Sequence, residues 1–288
     1  MAARGDTAAY LKRFLFLYAF GVVLALQLTS IMEFIGSFSI PWVVRTFAVS
    51  VGFPCLFVFM GRRFFPVGKP SLGIKVWGLN TLALFGFWAG GYFVVGSLSY
   101  HGDFHSMGIA LDEAIPFAPD WVFIYLTVYA FFLMPLFYID DMKELIVLDG
   151  AQIITLSISY TTFIVFPVAF DRPPVAPSDF STWTLSLVHA QDPAWNCFPS
   201  THCATCTVAA LGLIRANKKF AWWAIPSTLA ICVSTVMTKQ HFVLDALVGV
   251  LLGCGTFLIV NHVVRHTNLG KSLTERLQWL GRTLTGEV

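Results

Sequence analysis

Long apolar blocks separated by short polar segments run through most of the chain. Several blocks reach the roughly 20 residues that one helical crossing of a bilayer requires. They are continuously apolar rather than alternating, which favours membrane-spanning helices over a barrel. We expect about eight such helices, near Phe14–Ile35, Trp42–Met60, Val76–Leu98, Trp121–Tyr138, Leu145–Phe170, Pro199–Ile214, Phe220–Met237 and Phe242–Val263.

The composition supports an all-α polytopic membrane protein. Hydrophobic residues make up 57% of the chain and charged residues 12%, about half the charged share of a soluble domain. No basic run with interleaved aromatic residues predicts nucleic-acid binding, and no glycine-rich phosphate loop predicts a nucleotide. Most cysteines lie within apolar blocks, where a free thiol acts as a small hydrophobe, and this interpretation includes the Cys203-x-x-Cys206 pair.

Basic residues predict the orientation of the bundle. Cytoplasmic loops are enriched in Lys and Arg, and basic clusters occur at the N-terminus, after the second and sixth expected spans, and in the tail. We therefore expect a protein of an inner or plasma membrane with both termini on the cytoplasmic side. The mostly acidic loop at 140–144 is the exception. Leucines at helical spacing in the tail predict an amphipathic helix along the cytoplasmic leaflet, with a frayed helix end as the alternative.

Two polar clusters lie at the outer, extracytoplasmic ends of late spans, where ionisable residues are costly and usually functional. One contains His241 and Asp245, which a helix places on one face because they are four residues apart. The carboxylate can then hold one imidazole nitrogen and leave the other free as nucleophile or base. The other cluster, Pro199–His202, opens a span. Its backbone N–H groups and the Ser200 hydroxyl predict a phosphate cradle.

These clusters resemble the signatures of the type-2 phosphatidic acid phosphatase (PAP2) superfamily. Residues 199–202 are similar to its second signature, Pro-Ser-x-His, and residues 234–245 to its third, Ser-Arg-x5-His-x3-Asp. Arg172-Pro173 matches the end of its first signature, Lys-x6-Arg-Pro. Two positions depart, because Val165 stands where the Lys would be and Thr235 stands where the Arg would be.

Lys239, two residues before His241, stands where it could supply the missing positive charge. This Thr-Lys-Gln-His form, with Asp112 and Ile115-Pro116, is similar to the branch that contains inositol-phosphoceramide synthases and related bacterial membrane proteins. The resemblance covers residues 76–263, which would form a six-helix catalytic core. Residues 1–75 would add two transmembrane helices, and residues 264–288 would form a cytoplasmic amphipathic tail.

The resemblance implies a phospho-histidine mechanism that needs no metal and no other cofactor. His241 would attack phosphorus, Asp245 would orient and charge its imidazole, and His202 would protonate the leaving alcohol and then activate the incoming water or alcohol. The phosphate oxygens would be held by Arg172, Ser200 and Lys239. The implied substrate is a lipid phosphate monoester or pyrophosphate, which the enzyme hydrolyses. The alternative is a phosphotransferase that moves a phospho-headgroup to a second alcohol.

Two further interpretations stay open. The side chains of His202, His241 and Asp245 also fit a metal site with two histidines and one carboxylate, although Arg172 and Lys239 would repel a cation. A bundle of spans with one polar cluster also fits a transporter or a lipid-binding protein without catalysis, although the sequence shows no convincing internal repeat. Incubation with labelled lipid phosphates, with and without inositol and diacylglycerol as acceptors, would identify the substrate and the acceptor.

Overall fold

The computed structural model describes residues 2–36, 74–100, 103–139 and 141–285. Over these ranges the regular structure is helical. The α-helices are α1 (Ala2–Gly36), α2 (Ile74–Phe85), α3 (Gly91–Leu98), α4 (Ala110–Ala114), α5 (Val122–Tyr138), α6 (Met142–Val165), α7 (Phe180–Gln191), α8 (Thr201–Ala216), α9 (Ala221–Met237), α10 (Val243–His266) and α11 (Asn268–Thr285). A π-helical turn, Gly86–Gly90, joins α2 to α3.

Five helical segments of the described chain are long and apolar enough to cross a membrane. They are Val76–Leu98, Pro119–Tyr138, Met142–Val165, Lys218–Met237 and Val243–His266. These segments correspond to the third, fourth, fifth, seventh and eighth expected spans, so the all-α membrane architecture is confirmed. The sixth is the 16-residue helix α8, the first lies within α1, and the second, Trp42–Met60, lies outside the described residues. The total of eight stays a prediction.

Two elements differ from the sequence-based expectation. Helix α6 ends at Val165 instead of Phe170, because Phe166 precedes a proline and such residues disfavour helical backbone. Helix α7 is not predicted by the apolar pattern, since its 12 residues are too few to span a bilayer. Its N-cap is Asp179, whose carboxylate accepts the N–H of Thr182 at 2.9 Å. That hydrogen bond lowers the pKa of Asp179, as expected for an N-cap carboxylate.

Helix α8 lies at the centre of the bundle, in contact with α5, α6, α9 and α10. Its closest approach to α10 depends on Gly249 and Gly253. A Cβ atom on Gly249 would lie 2.5 Å from the carbonyl oxygen of Ser200, and one on Gly253 would collide with the carbonyl of Ala204. Small residues let two membrane helices approach this closely. The start of α8 is thereby held beside the start of α10.

Charged groups join the helices at the opposite end of the bundle. Glu144, in the first turn of α6, pairs with Arg215 at 2.9 Å and also with Arg265. These arginines belong to the last turns of α8 and α10. The expected C-terminal amphipathic helix is α11, which packs against α2, α6 and α10. Its Leu269 and Trp279 are exposed, and its position along the cytoplasmic leaflet stays a prediction.

Helix α1 packs along α5 and is attached to the bundle by aromatic and polar contacts. The rings of Phe20 and Trp223 lie 4.3 Å apart. Deeper in the bundle, the hydroxyl of Ser227 donates to Gln27 Oε1 at 3.0 Å, and Gln27 Nε2 donates to Thr127 Oγ1 at 3.4 Å. All three polar side chains are buried. This helix is therefore an integral part of the packed bundle.

Candidate active site

Three non-helical segments cover the end of the bundle where α8 and α10 begin. They are residues 103–109, 166–172 and 194–197, which are joined through backbone hydrogen bonds centred on Val168. The N–H of Cys197 donates to the Val168 carbonyl at 3.1 Å, and the N–H of His105 donates to Pro167 at 2.9 Å. The His105 ring stacks on Phe166. This layer positions both Arg172 and the carbonyl of Cys197.

His241 lies in the turn between α9 and α10 and is only 3% exposed. Its Nδ1 lies 2.9 Å from the carbonyl oxygen of Cys197. A carbonyl can only accept a hydrogen bond, so we assign the proton to Nδ1. Nε2 then carries the lone pair, and it lies 3.4 Å from Nδ1 of His202. The surroundings therefore hold His241 in the tautomer that a nucleophile needs.

Asp245 is fully buried and supports His241 by charge more than by a hydrogen bond. Its Oδ2 lies 3.6 Å from Nδ1 of His241, beyond normal hydrogen-bond length, and accepts the N–H of Phe242 at 2.9 Å. Its Oδ1 has no hydrogen-bond partner. The sequence predicts that Asp245 orients the imidazole, whereas the described contacts assign orientation chiefly to the Cys197 carbonyl. A backbone acceptor of this kind leaves no signal in the sequence.

His202 and Ser200 lie at the start of α8, as expected from the sequence. Ser200 is the N-cap, and its hydroxyl accepts the N–H of Cys203 at 3.4 Å. Its own N–H donates to the Asp245 carbonyl at 3.1 Å, which joins the two signature segments directly. The His202 ring is 7% exposed and lies against Tyr125, with ring centroids 4.6 Å apart.

Arg172 reaches the site but is paired with a residue that sequence analysis missed. Its Nη2 binds Asp192 Oδ2 at 2.6 Å, and its Nη1 donates to the Asp192 carbonyl at 2.8 Å. Tyr92 donates to the other carboxylate oxygen at 2.6 Å. The Arg172 Nε is buried without an acceptor, so one donor remains for an anion. Burial and the positive charge of Arg172 lower the pKa of neighbouring His189.

The Lys239 side chain binds backbone carbonyl oxygens from another segment of the chain. Its ammonium donates to the carbonyls of Asp112 and Ile115, both at 2.7 Å, and its backbone has a φ of 55°, which L-residues rarely adopt. The carboxylate of Asp112 in turn accepts the N–H of Val243 at 2.8 Å, at the first residue of α10. The two residues thus fix α4 and the residue after it, Ile115, to the turn that carries His241.

An apolar cavity of about 310 Å³ opens beside His202. Its walls come from α5, α7 and the π-helical turn with α3, and its polar end is formed by Asp192, Thr201 and His202. The aromatic and aliphatic wall residues include Trp88, Tyr92, Leu126, Tyr129, Leu187 and Val188. A cavity of this character suits a hydrocarbon chain whose polar group reaches His202.

The side chains with metal-ligand spacing at this site are Cys197, His241 and Asp245, whose ligand atoms lie within 4.8 Å of one another. The sequence suggests a metal site made of His202, His241 and Asp245. The structure instead groups Cys197 with His241 and Asp245. The Cys197 thiol donates to the Ala194 carbonyl at 3.1 Å, and burial raises its pKa well above the usual value. The thiol is therefore protonated in the structure as it stands.

Comparison with known proteins extends the sequence resemblance. No curated protein and no solved structure matches the chain significantly, so no individual relative supports the inositol-phosphoceramide-synthase branch. A family model matches the region from α6 to just beyond the end of α10. That region contains all six residues that the sequence predicts for the site, namely Arg172, Ser200, His202, Lys239, His241 and Asp245. Residues 147–268 of the chain thus match the PAP2 superfamily.

Proposed function

We propose that the protein is an integral membrane hydrolase that cleaves a lipid phosphate ester through a phospho-histidine on His241. The PAP2 superfamily generally contains phosphoric ester hydrolases, and the apolar helices suit a membrane enzyme. The observation that carries the proposal is the hydrogen bond from His241 Nδ1 to the Cys197 carbonyl. It directs the Nε2 lone pair toward His202, at the polar end of an apolar cavity.

In the first step, the lone pair of His241 Nε2 attacks phosphorus. An N–P bond forms and the bond from phosphorus to the lipid oxygen breaks. Positive charge develops on the imidazole ring, whose Nδ1 keeps its proton. The buried carboxylate of Asp245, 3.6 Å away, stabilises that charge, and the effect is strong because water is excluded.

His202 acts as the acid for the leaving oxygen and then as the base for water. It lines the cavity that receives the lipid, so a departing alkoxide lies on its side of the phosphate. The facing nitrogens of the two imidazoles lie only 3.4 Å apart, which leaves no room for a phosphoryl group between them. Substrate binding therefore moves the His202 ring aside, and its contact with Tyr125 limits how it turns.

The phosphate oxygens bind at the start of α8, where first-turn N–H groups lack intrahelical acceptors. The Ser200 hydroxyl and the unpartnered Nε of Arg172 complete this cradle. Asp192 neutralises part of the Arg172 charge, so substrate phosphate competes with it for the guanidinium. Lys239 contributes positive potential from its position between the Asp112 and Ile115 carbonyls.

The orientation that fits these contacts has both termini in the cytoplasm and the site on the extracytoplasmic face. All proposed catalytic groups lie at the end where α8 and α10 begin, and Arg215 and Arg265 lie at the other end. Enrichment of cytoplasmic segments in basic residues supports this arrangement.

The test is a phospho-enzyme trap with the full-length protein in lipid nanodiscs. Radiolabelled lipid phosphates should release inorganic phosphate and leave an acid-labile, base-stable label on the protein. His241→Ala should abolish both signals, whereas His262→Ala, a histidine in the last two turns of α10, should retain them. A label that persists in His241→Ala would contradict the proposal. Recovery of the phosphate on an added alcohol, rather than in water, would identify a phosphotransferase.

A further inference from the structure

The proposed nucleophile, His241, belongs to a cluster of three side chains, and the proposed hydrolysis does not use every ligand atom of that cluster. The Cys197 thiol, the His241 imidazole and the Asp245 carboxylate present ligand atoms within 4.8 Å of one another. All three residues are buried. The Cys197 side chain has no step in the phospho-histidine chemistry, and Asp245 Oδ1 is a fully buried oxygen without a hydrogen-bond partner. An unsatisfied carboxylate oxygen among soft and borderline donors points to a cation.

The donor set matches one class of metal ion. Zn²⁺ and similar soft divalent ions take thiolate, imidazole and carboxylate ligands in tetrahedral geometry, with bonds of about 2.0–2.3 Å. Ligand atoms in such a site lie roughly 3.5 Å apart, so this cluster needs only a small contraction. Hard ions such as Mg²⁺ select oxygen ligands, and this set has one thiol and one imidazole.

The charges around the cluster permit a cation. A thiolate and a carboxylate together neutralise a divalent ion. Of the two cationic side chains that would repel it, Arg172 is partly neutralised by its pair with Asp192, and the Lys239 ammonium is held at the Asp112 and Ile115 carbonyls. The Oδ1 of Asp245 would gain a partner, which removes a cost of burial.

We propose that Cys197, His241 and Asp245 form a site for Zn²⁺ or a similar soft divalent ion, and that its occupation inhibits the enzyme. The ion binds Cys197 Sγ, His241 Nδ1 and Asp245. Cys197 releases its proton to solvent, and the Nδ1 proton of His241 moves to Nε2. Because Nε2 then carries a proton, it has no lone pair for phosphorus. The metal site stands on the geometry of the cluster, whereas the inhibition rests on the proposed function.

The experiment measures binding and activity separately on full-length protein in nanodiscs, after treatment with a chelator. Wild type should bind one equivalent of Zn²⁺ by calorimetry, and Co²⁺ as a probe should give a thiolate-to-cobalt charge-transfer band. Cys197→Ser should abolish the band and weaken zinc binding at least about 10-fold. Cys206→Ser, a buried thiol further along α8, should keep both. Each variant's inhibition is scaled to its own zinc-free rate.

Several results would overturn the proposal. One is the absence of a thiolate band in wild type, which does not depend on any variant folding. Another is zinc binding that survives Cys197→Ser, with Cys197→Ala as a second variant. Stimulation of activity by zinc would show a catalytic ion instead of an inhibitory one. If wild type binds zinc through Cys197 but no lipid phosphate is hydrolysed, the metal site stands and the proposed function fails.

Discussion

Gly249→Ala tests whether the spacing between α8 and α10 sets the geometry of the candidate site. The added Cβ would lie 2.5 Å from the carbonyl oxygen of Ser200. Carbon and oxygen atoms in close contact settle at roughly 3.3 Å, so the helices must separate locally by about 0.8 Å. Ser200 begins the helix that carries His202, while His241 lies just before α10. The shift therefore adds to the 3.4 Å that separates the two imidazoles.

A misplacement of about 1 Å at reacting groups can cost roughly 10²-fold in rate. We expect kcat to fall by about 10- to 100-fold, with a loss of stability of about 1–3 kcal/mol from overpacking. Phosphate release from a lipid phosphate in nanodiscs measures the first effect. Thermal unfolding followed by tryptophan fluorescence measures the second.

Two other glycines of α10 provide matched controls. Gly255 has nothing within 4 Å of its Cβ position, so Gly255→Ala should keep wild-type activity. Gly253 meets the Ala204 carbonyl, one turn further from the histidines, so Gly253→Ala should destabilise the protein with a smaller loss of kcat. If a folded Gly249→Ala protein kept wild-type kcat, or if Gly255→Ala lost as much, helix spacing would not control the site.

Three further predictions concern acid catalysis, topology and phosphate binding. His202→Ala should lose about 10²–10⁴-fold on a lipid phosphate and much less on p-nitrophenyl phosphate, whose leaving group needs little protonation; equal losses on both substrates would contradict an acid role. A cysteine at Ser178 should react with an impermeant thiol reagent in intact cells and one at Asn217 should not, whereas the reverse pattern would place the site in the cytoplasm. Asp192→Asn should lower the orthovanadate concentration that inhibits, because Arg172 loses its competing anion, and unchanged inhibition would show that Arg172 does not bind the phosphate.

The parts of this protein that could be predicted are those encoded by local sequence. Apolar runs of span length predict α5, α6, α9 and α10, since length and hydrophobicity alone make a helix suitable for lipid. The four-residue spacing of His241 and Asp245 predicts their proximity because both lie near the first turn of one helix. The signature order also leads to the expectation that His202 faces them, and the structure brings these three side chains together.

The parts that could not be predicted depend on contacts between distant segments. Asp192 follows the short helix α7 and has no local feature that separates it from a solvated carboxylate, yet it pairs with Arg172 from another loop. From the sequence alone, the Lys239 ammonium could bind either phosphate or carbonyl oxygens. Only the fold brings the Asp112 and Ile115 carbonyls to it. Helix α7 could not be predicted from the apolar pattern because its twelve residues are too few for a span-length signal.

The attachment of α1 bears on how this protein can be shortened for biochemical work. A fragment cut at residue 75, which keeps the part resembling the superfamily, would lack Gln27. The Ser227 hydroxyl would then lose its described acceptor and face hydrocarbon, where an unsatisfied polar group costs several kcal/mol, and the Trp223 ring would lose its contact with Phe20. The part of the chain that resembles the superfamily is therefore shorter than the part that packs as one bundle. A helix that a family comparison would treat as an optional extension is an integral part of the packed bundle, and fragments for expression need to begin before it.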